Sequence, residues 1–224
     1  ISPAADLIAI VALLGSARFV LALAGLDSGT GFGGIGSSRE MMIASLAEPA
    51  MLMIVFTVSL LAGSTQLSSV AAFMQGPDVG LRVSLAMSLI ALIMVALAEN
   101  ARIPVDNPAT HLELTMVHEA MILEYSGRHL AVIEMASSLK LLLYISLISC
   151  IFVPWGVATA GQGFTAYAIG LGFYAIKLAV GGFLLAVFET VTAKMRVFRV
   201  SDFLGVALML GLLAALLLFV SRSV

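Results

Sequence analysis

Six runs of mostly apolar residues constrain this chain more than any other feature. A bilayer core of about 30 Å needs about 20 residues in a helix, and each run approaches or exceeds that length. Backbone polar groups in lipid must be satisfied internally, which favours helices for runs this long. The sequence therefore predicts an all-α, polytopic membrane bundle of about six transmembrane helices in a single domain, 1–224. The predicted spans are 4–25, 41–62, 82–99, 130–153, 164–191 and 203–220.

The composition excludes several classes of protein. Of 224 residues, 61% are hydrophobic and 11% are charged, against roughly a quarter charged in soluble domains. A net charge of −2 provides no polybasic surface, so we expect no nucleic-acid partner. The single cysteine, Cys150, cannot form an internal disulfide or hold an iron–sulfur cluster, which takes about four cysteines. We therefore expect no cofactor in this chain, and any redox centre on a partner subunit.

The distribution of basic residues predicts the orientation. Connections alternate sides, and the first, third and fifth (26–40, 100–129 and 192–202) hold six Lys and Arg residues, against two on the other side. The positive-inside rule places these connections in the cytoplasm, which predicts a multi-pass protein of the inner (cytoplasmic) membrane. It also places residue 1 outside, which missing N-terminal helices would explain.

Several ionisable residues fall in a lipid environment. Each costs about 2.5–3.5 kcal/mol or more at a bilayer centre unless paired or hydrated, so we expect them to face the bundle interior, a partner subunit or a water-filled path. Snorkelling towards the interface could account for Arg18 and Glu189. Glu48 precedes Pro49, which frees a backbone carbonyl, and a helix broken beside a carboxylate would suit a hydrated site. The residues are Arg18, Glu48, Lys140, Lys177 and Glu189 within spans, and Glu99 at the end of the third.

A polar loop at about 99–129 interrupts the apolar chain. Asn107 as N-cap, Pro108 at the first helical position and Gly127 as a stop predict a helix over 108–125. On such a helix His111 and His118 lie about 20° apart, and three glutamates form a line along it. Carboxylates that repel one another have raised, coupled pKa values and can pass protons near neutral pH, where histidines also titrate.

These patterns predict residues for ion translocation and coupling, together with two histidines as a proton relay. The translocation set from these patterns is Glu48, Glu99, Glu113, Glu119, Glu124, Lys140, Lys177 and Glu189, and the relay is His111 and His118.

Three other interpretations of these segments are weaker. His118-Glu119 begins like a zinc-hydrolase HExxH motif, but Ile122 occupies the second histidine position, and we predict no metal site. The glycine-rich stretch 27–34 lacks the strand–turn–helix context of a phosphate loop. The loop could also be a solvated connection, although Pro104 and Pro108 order it more than solubility requires.

The loop resembles a known family signature. Glu99 through Gly127, with its Arg102-Ile103-Pro104-Val105-Asp106 core and its Glu124-Tyr125-Ser126-Gly127 end, resembles the signature loop of respiratory complex I subunit 1. The membrane subunit of group 4 nickel–iron hydrogenases has the same loop. Four further motifs are more similar to this hydrogenase branch, of formate hydrogenlyase and hydrogenase-4 type: Leu26-Asp27-Ser28-Gly29, Ser38-Arg39-Glu40-Met41, Glu48-Pro49 and Val153-Pro154-Trp155-Gly156.

The resemblance implies a redox-inert membrane subunit, with about eight helices in full, of a complex-I-like, energy-converting oxidoreductase. It would anchor a peripheral arm of iron–sulfur and nickel–iron-hydrogenase-like subunits, beside antiporter-like membrane subunits. In complex I this loop borders the quinone cavity and begins an acidic path into the membrane. By position, Glu99, Arg102, Asp106, Glu113 and Glu124 match charged residues of that loop, so the resemblance adds Arg102 and Asp106 to the predicted translocation set. His111 and His118 depart from the usual acidic run, which argues against quinone binding. The subunit would couple electron transfer in its partners to proton or sodium translocation.

Three rival functions remain open. The chain could be the quinone-site subunit of an NADH:quinone-type complex, or a stand-alone ion carrier that is active alone in liposomes. It could also be a structural anchor whose charges only grip partner subunits, in which case charge swaps would impair assembly and leave coupling intact.

Overall fold

Helices dominate the computed structural model of this chain. The structure describes residues 6–76, 82–106, 117–156, 163–193, 195 and 197–223. The described residues form eight helices: α1 (Leu7–Asp27), α2 (Gly31–Ala62), α3 (Leu67–Met74), α4 (Val83–Glu99), α5 (His118–Ile122), α6 (Gly127–Phe152), α7 (Phe164–Val191) and α8 (Val197–Ser223).

The lengths of these helices match a membrane protein. Among the described residues, α1, α2, α6, α7 and α8 are long and apolar enough to cross a bilayer. Helix α4 is apolar but has 17 residues, which gives about 25 Å and places it at the short end of membrane spans. The predicted all-α bundle of about six transmembrane helices is thus confirmed, with five full-length candidates and one shorter helix. The chain is a multi-pass membrane protein.

Helix α2 begins ten residues earlier than predicted. The glycine-rich stretch was predicted as part of a connection, but α2 starts at Gly31, where the Thr30 side chain accepts a hydrogen bond from the Gly33 backbone. The glycines let other elements approach α2 closely. A Cβ at Gly33 would overlap the Gly25 carbonyl oxygen of α1, and one at Gly36 would lie 2.9 Å from Ala120 of α5.

Helix α2 also continues through Pro49. The structure therefore does not show the broken helix that the Glu48-Pro49 pair suggested, and α2 runs on to Ala62. A proline removes one backbone hydrogen bond, and packing on neighbouring helices can hold the remaining turns together.

A short helix interrupts the predicted connection 63–82. Helix α3 occupies Leu67–Met74 and follows a turn that is tied to the start of α1. The Asp6 carboxylate caps α1 by accepting from the backbone of Ile8 and Ala9, and it also accepts from the Thr65 hydroxyl. The Thr65 bond lowers the pKa of Asp6.

The core forms where α2, α4 and α8 pack against one another. Small and branched side chains there are almost fully buried, including Ala50, Ile54, Leu92 and Leu204. Helix α1 lies against α2, whereas α7 packs along α6 and buries none of its residues. The buried charged residues of the helices described here lie on α1, α2 and α4: Arg18, Glu40 and Glu99.

The polar loop meets several helix termini at one end of the bundle, the loop end. The Tyr125 hydroxyl donates to the Ala24 carbonyl of α1 at 3.2 Å. The Met195 backbone, between α7 and α8, donates to the Pro104 carbonyl at 2.8 Å. These contacts bring the first, third and fifth connections together, as the alternating topology predicts. Their position in the cytoplasm remains a prediction.

Only the second part of the helix predicted over 108–125 lies within the described residues, and there the observed helix ends earlier than predicted. Residues 107–116, which include Asn107, Pro108, His111 and Glu113, lie outside the described residues. The rest is helical over His118–Ile122 alone, so Glu124 does not continue that helix. Gly127 opens α6 with a φ of 57° and does not end the preceding helix, because a left-handed residue lets the chain turn into α6.

Candidate functional site

A buried arginine forms the centre of the candidate site. Arg18 lies in the fourth turn of α1, and 4% of it is exposed. Its side chain contacts two carboxylates from different helices, with Nε 2.8 Å from Glu40 Oε1 and Nη1 2.7 Å from Glu99 Oε1. Snorkelling therefore does not explain Arg18, which turns into the bundle and is paired there.

Both carboxylates are buried and lie on helices that converge near the loop end. Glu40 is 5% exposed on α2, and Glu99 is 7% exposed as the last residue of α4. Glu40 enters the bundle because α2 is already helical at this position, which is the tenth residue of the helix. The two acids thus share one guanidinium as their nearest compensating charge.

A second cation approaches the same cluster from α6. Lys140 Nζ lies 4.0 Å from Glu99 Oε2, and a fifth of its side chain is exposed. Tyr144, one turn further along α6, is buried and interacts electrostatically with Glu99 and Arg18. Two cations and two carboxylates therefore balance one another across four helices; we call Arg18, Glu40, Glu99 and Lys140 the buried charge cluster.

The loop contributes polar groups directly beside this cluster. His118 opens α5, and burial lowers its pKa, while the Glu40 carboxylate acts in the opposite direction. Asp106 is 4% exposed at the end of the described loop and also interacts with His118. A neutral imidazole can donate with one ring nitrogen and accept with the other. His118 can therefore both donate to and accept from polar neighbours at this end of the bundle.

A cavity of about 620 Å³ opens beside the cluster, between α1, α5 and α6. Arg18 and Lys140 line it at one side, and His118, His129 and Tyr125 line it towards the loop end. Its remaining walls are apolar, as in many small-molecule sites. The cavity gives the buried charges access to the loop end.

A separate ion pair joins the loop to α7. Arg102 Nη1 lies 3.5 Å from Glu189 Oε1, and both side chains are partly exposed, at 33% and 24%. An exposed pair of this kind contributes little stability. Its role here is geometric, because it fixes the first residues of the loop against the end of α7.

Glu48 lies apart from the cluster on another face of α1 and α2. It is half-buried, and a Cβ placed on Gly15 would lie 3.3 Å from its Oε1. It lines a cavity of about 430 Å³ with apolar neighbours such as Phe19 and Leu52. Its interaction with Arg18 is electrostatic.

Lys177 lies far from the loop end. Its ammonium donates to the Val153 carbonyl at the C-terminal end of α6, at 2.5 Å. Because helical side chains point towards the N-terminus of their helix, Lys177 reaches from the middle of α7 back towards this end of α6. The structure therefore does not join Lys177 to the buried charge cluster.

The other predicted site residues are dispersed or undescribed. Glu119 is half-buried on α5, and Glu124 is exposed in the turn that follows. His111 and Glu113 lie outside the described residues. Of the predicted set, Glu99 and Lys140 are therefore brought together, with Asp106 and His118 alongside. The roles of all these residues in translocation remain predictions.

Two members of the cluster were absent from the predicted site. Arg18 was noted as a charge within a span, but snorkelling offered a simpler explanation. Glu40 was missed because the glycine-rich stretch was interpreted as a connection, which put Glu40 in water. The signal was present in Thr30, a good N-cap residue, which would have started α2 early enough to place Glu40 inside the bundle.

The chemistry of this arrangement is electrostatic. In the part of the chain that the structure describes, no group of three or more His, Cys, Asp or Glu side chains could hold a metal ion. The cluster offers carboxylates that accept protons and cations that compensate them. Adding or removing one proton would unbalance it in a low-dielectric environment, so protonation and the positions of these side chains are coupled.

Comparisons with known proteins agree with this architecture. Residues 1–220 match the NADH dehydrogenase family. Formate hydrogenlyase subunit 4 of Escherichia coli (strain K12) is 33% identical over 194 residues, which cover 85% of this chain and 61% of that protein. Hydrogenase-4 component C of the same strain is 35% identical over 154 residues, which cover 68% of this chain and 47% of that protein. The chain thus matches less than two thirds of either relative's length. It belongs to the NADH dehydrogenase family, of complex I subunit 1 type.

Proposed function

We propose that this chain is a redox-inert membrane subunit of a complex-I-like, energy-converting oxidoreductase of the membrane-bound hydrogenase type. It anchors a peripheral electron-transfer arm at the loop end and couples that arm to proton or sodium translocation. The observation that carries the proposal is the buried charge cluster, which lies inside the membrane bundle and directly beneath the loop. The two relatives, whose names place them in a hydrogenlyase and a hydrogenase, support the same assignment.

The cluster can respond to events at the loop. Glu99 is shared between Arg18 at 2.7 Å and Lys140 at 4.0 Å, so a small displacement of Lys140 changes the charge compensation of Glu99. In a low-dielectric site such a change shifts the proton affinity of the carboxylate. A rearrangement of the loop during electron transfer would thereby favour uptake or release of a proton, or of a sodium ion in its place.

The partners and cofactors follow from this role. Iron–sulfur clusters and a nickel–iron centre would reside in peripheral subunits that dock on the loop end, in the cytoplasm, and antiporter-like membrane subunits would lie alongside in the inner membrane. Arg102 and Glu189, which fix the loop against α7, would hold the docking surface in place.

Purification of the native complex tests this proposal. An affinity tag on this chain should bring down subunits that contain iron and nickel, measured by elemental analysis per tagged chain. Reconstituted alone in liposomes, the chain should move no ions, whereas the intact complex should move them when supplied with its reductant. Ion flux through the isolated chain would contradict the proposal and establish the stand-alone carrier.

A second candidate function is that of a quinone-site subunit. The 620 Å³ cavity beside the cluster favours it, because an apolar pocket with a few convergent polar groups is the usual form of a ligand site. Titration of the purified complex with a short-chain quinone distinguishes the two. Saturable binding that His118→Phe weakens would favour the quinone site, and absence of binding would leave the hydrogenase type.

A further inference from the structure

A third cavity lies along α6 and α7 and shares Leu139 and Leu143 with the 620 Å³ cavity at its inner end. It has a volume of about 710 Å³ and is formed by α6 and α7, with Ile10 of α1 and Leu67 of α3 also lining it. Along α6 its wall extends from Leu139 to Cys150, a length of about 16 Å at the rise of an α-helix. Half of a bilayer's hydrocarbon core is about 15 Å. The cavity is thus as long as one leaflet is deep.

The two ends of this cavity differ in polarity. Leucines line the end that points towards the bundle centre, including Leu139, Leu142 and Leu143. Lys177 lines it from α7, and its ammonium lies at the C-terminal end of α6, where it bonds to the Val153 carbonyl. Among the described residues that line the cavity, Lys177 is the only one with a charge. The surface is therefore complementary to an amphiphile with an anionic head and an apolar tail.

Aromatic residues near the polar end suit a membrane interface. Trp155 lies three residues beyond the end of α6 and is 75% exposed, and Tyr167 lines the cavity. Tryptophan and tyrosine are enriched where the hydrocarbon core meets the head groups. An ammonium on a long stem beside them occupies the position at which lysine meets lipid phosphates.

The distribution of polarity favours a lipid as the occupant. The described lining is mainly apolar, and its one charged group, Lys177, lies at the polar end of the cavity. Helix α7 buries none of its residues, and its one extensive contact with another described helix is with α6. A lipid in the cavity would therefore also fill the seam between α6 and α7.

We propose that this cavity binds an anionic phospholipid of the leaflet at the C-terminal end of α6. The phosphate contacts the Lys177 ammonium, and an acyl chain runs along α6 as far as Leu139. This site is distinct from the buried charge cluster and gives Lys177 a role outside the ion route.

Lipid retention by the intact complex tests the site. The complex, purified from nanodiscs that contain equal amounts of phosphatidylglycerol and phosphatidylcholine, would be analysed for bound lipid by native mass spectrometry. We expect about a fivefold preference for phosphatidylglycerol, the factor that one lysine beside an anionic head group supplies. Lys177→Gln should abolish the preference. Arg82→Gln, which removes an exposed cation at the start of α4 and outside this cavity, should retain it.

A second variant keeps the test independent of the lysine. Leu142→Trp adds bulk to the apolar part of the cavity and should reduce retention of both lipids. Equal retention of the two lipids by the unmodified complex would overturn the proposal, as would an unchanged preference in Lys177→Gln. Preferential retention of free fatty acid would overturn the assignment to a phospholipid.

Discussion

Arg18 of α1 and Glu99 of α4 form an ion pair of 2.7 Å inside the bundle, with both side chains at least nine-tenths buried. Glu40 shares the same guanidinium at 2.8 Å. A cation enclosed with two acids is hard to replace, because its removal takes the paired cation from Glu40 and leaves Glu99 with only the more distant Lys140, in a low-dielectric environment. The two ion pairs together link α4, which ends at the polar loop, to α1 and α2. They are the structural basis of the proposed coupling.

Loss of the guanidinium should therefore destabilise the protein. We expect Arg18→Gln to lower the unfolding free energy by about 3 kcal/mol, equivalent to about 6–12 °C in Tm. Thermal unfolding of the detergent-solubilised protein measures this. Arg128→Gln removes an exposed arginine at the start of α6 and should change Tm by no more than a degree or two. Equal effects of the two substitutions would mean that the buried pair does not stabilise the bundle.

Two adjacent glycines of α2 should respond oppositely to the same substitution. A Cβ at Gly33 would meet the Gly25 carbonyl oxygen of α1, whereas one at Gly34 meets nothing within 4 Å. Gly34→Ala should stabilise the helix by about 0.5–1 kcal/mol through helix propensity. Gly33→Ala should destabilise the protein, because the α1–α2 contact must open.

Hydrogen exchange of the α1–α2 region and thermal unfolding measure both effects. If Gly33→Ala were as stable as Gly34→Ala, the close contact between the two helices would not exist.

The same glycines show where sequence reasoning succeeded and where it stopped. Hydropathy predicted every long helix, because a bilayer imposes a length of apolar chain that is visible without knowledge of tertiary contacts. It did not predict the start of α2, because Gly33 and Gly36 are poor helix formers whose value lies in the close approach of α1 and α5. In a sequence, a glycine-rich helical segment that packs closely on a neighbouring helix cannot be distinguished from a flexible loop until that neighbour is known.

The candidate site shows a similar division. Glu99 at the end of α4 and Lys140 of α6 were predicted as site residues because a charge is costly in lipid. That cost can be judged from the local sequence. Their partners were not predicted, since the burial of Arg18 and Glu40 depends on three helices converging. The position of Lys177 could not be derived from its own span, because the sequence does not show that α6 ends beside it, and its role in translocation stays a prediction.

Acid should weaken the structure through His118. Burial lowers the pKa of His118 in the folded state, so the unfolded chain, with a value of about 6.5, binds a proton at a higher pH. Its contribution to stability is therefore present above about pH 6.5 and is lost as the pH falls below that value.

Measurements of Tm between pH 7.5 and 5 on the unmodified protein and on His118→Asn test this. The variant should show a smaller fall in Tm over this range, whereas His129→Asn, which removes an exposed imidazole near the start of α6, should behave as the unmodified protein does. A parallel decline in all three proteins would exclude His118 as the cause.

The account depends most directly on Glu99, and ion uptake by the reconstituted complex tests it. Proteoliposomes containing the intact complex would be supplied with reductant, and the number of ions taken up per electron transferred would be measured with Glu99→Gln, normalised to assembled complex. Glu134→Gln, which neutralises an exposed carboxylate of α6, is the matched control. The account predicts that Glu99→Gln retains electron transfer and loses most ion uptake, while the control keeps the normal ratio. A normal ratio in Glu99→Gln would contradict the proposal that the buried charge cluster couples electron transfer to ion movement.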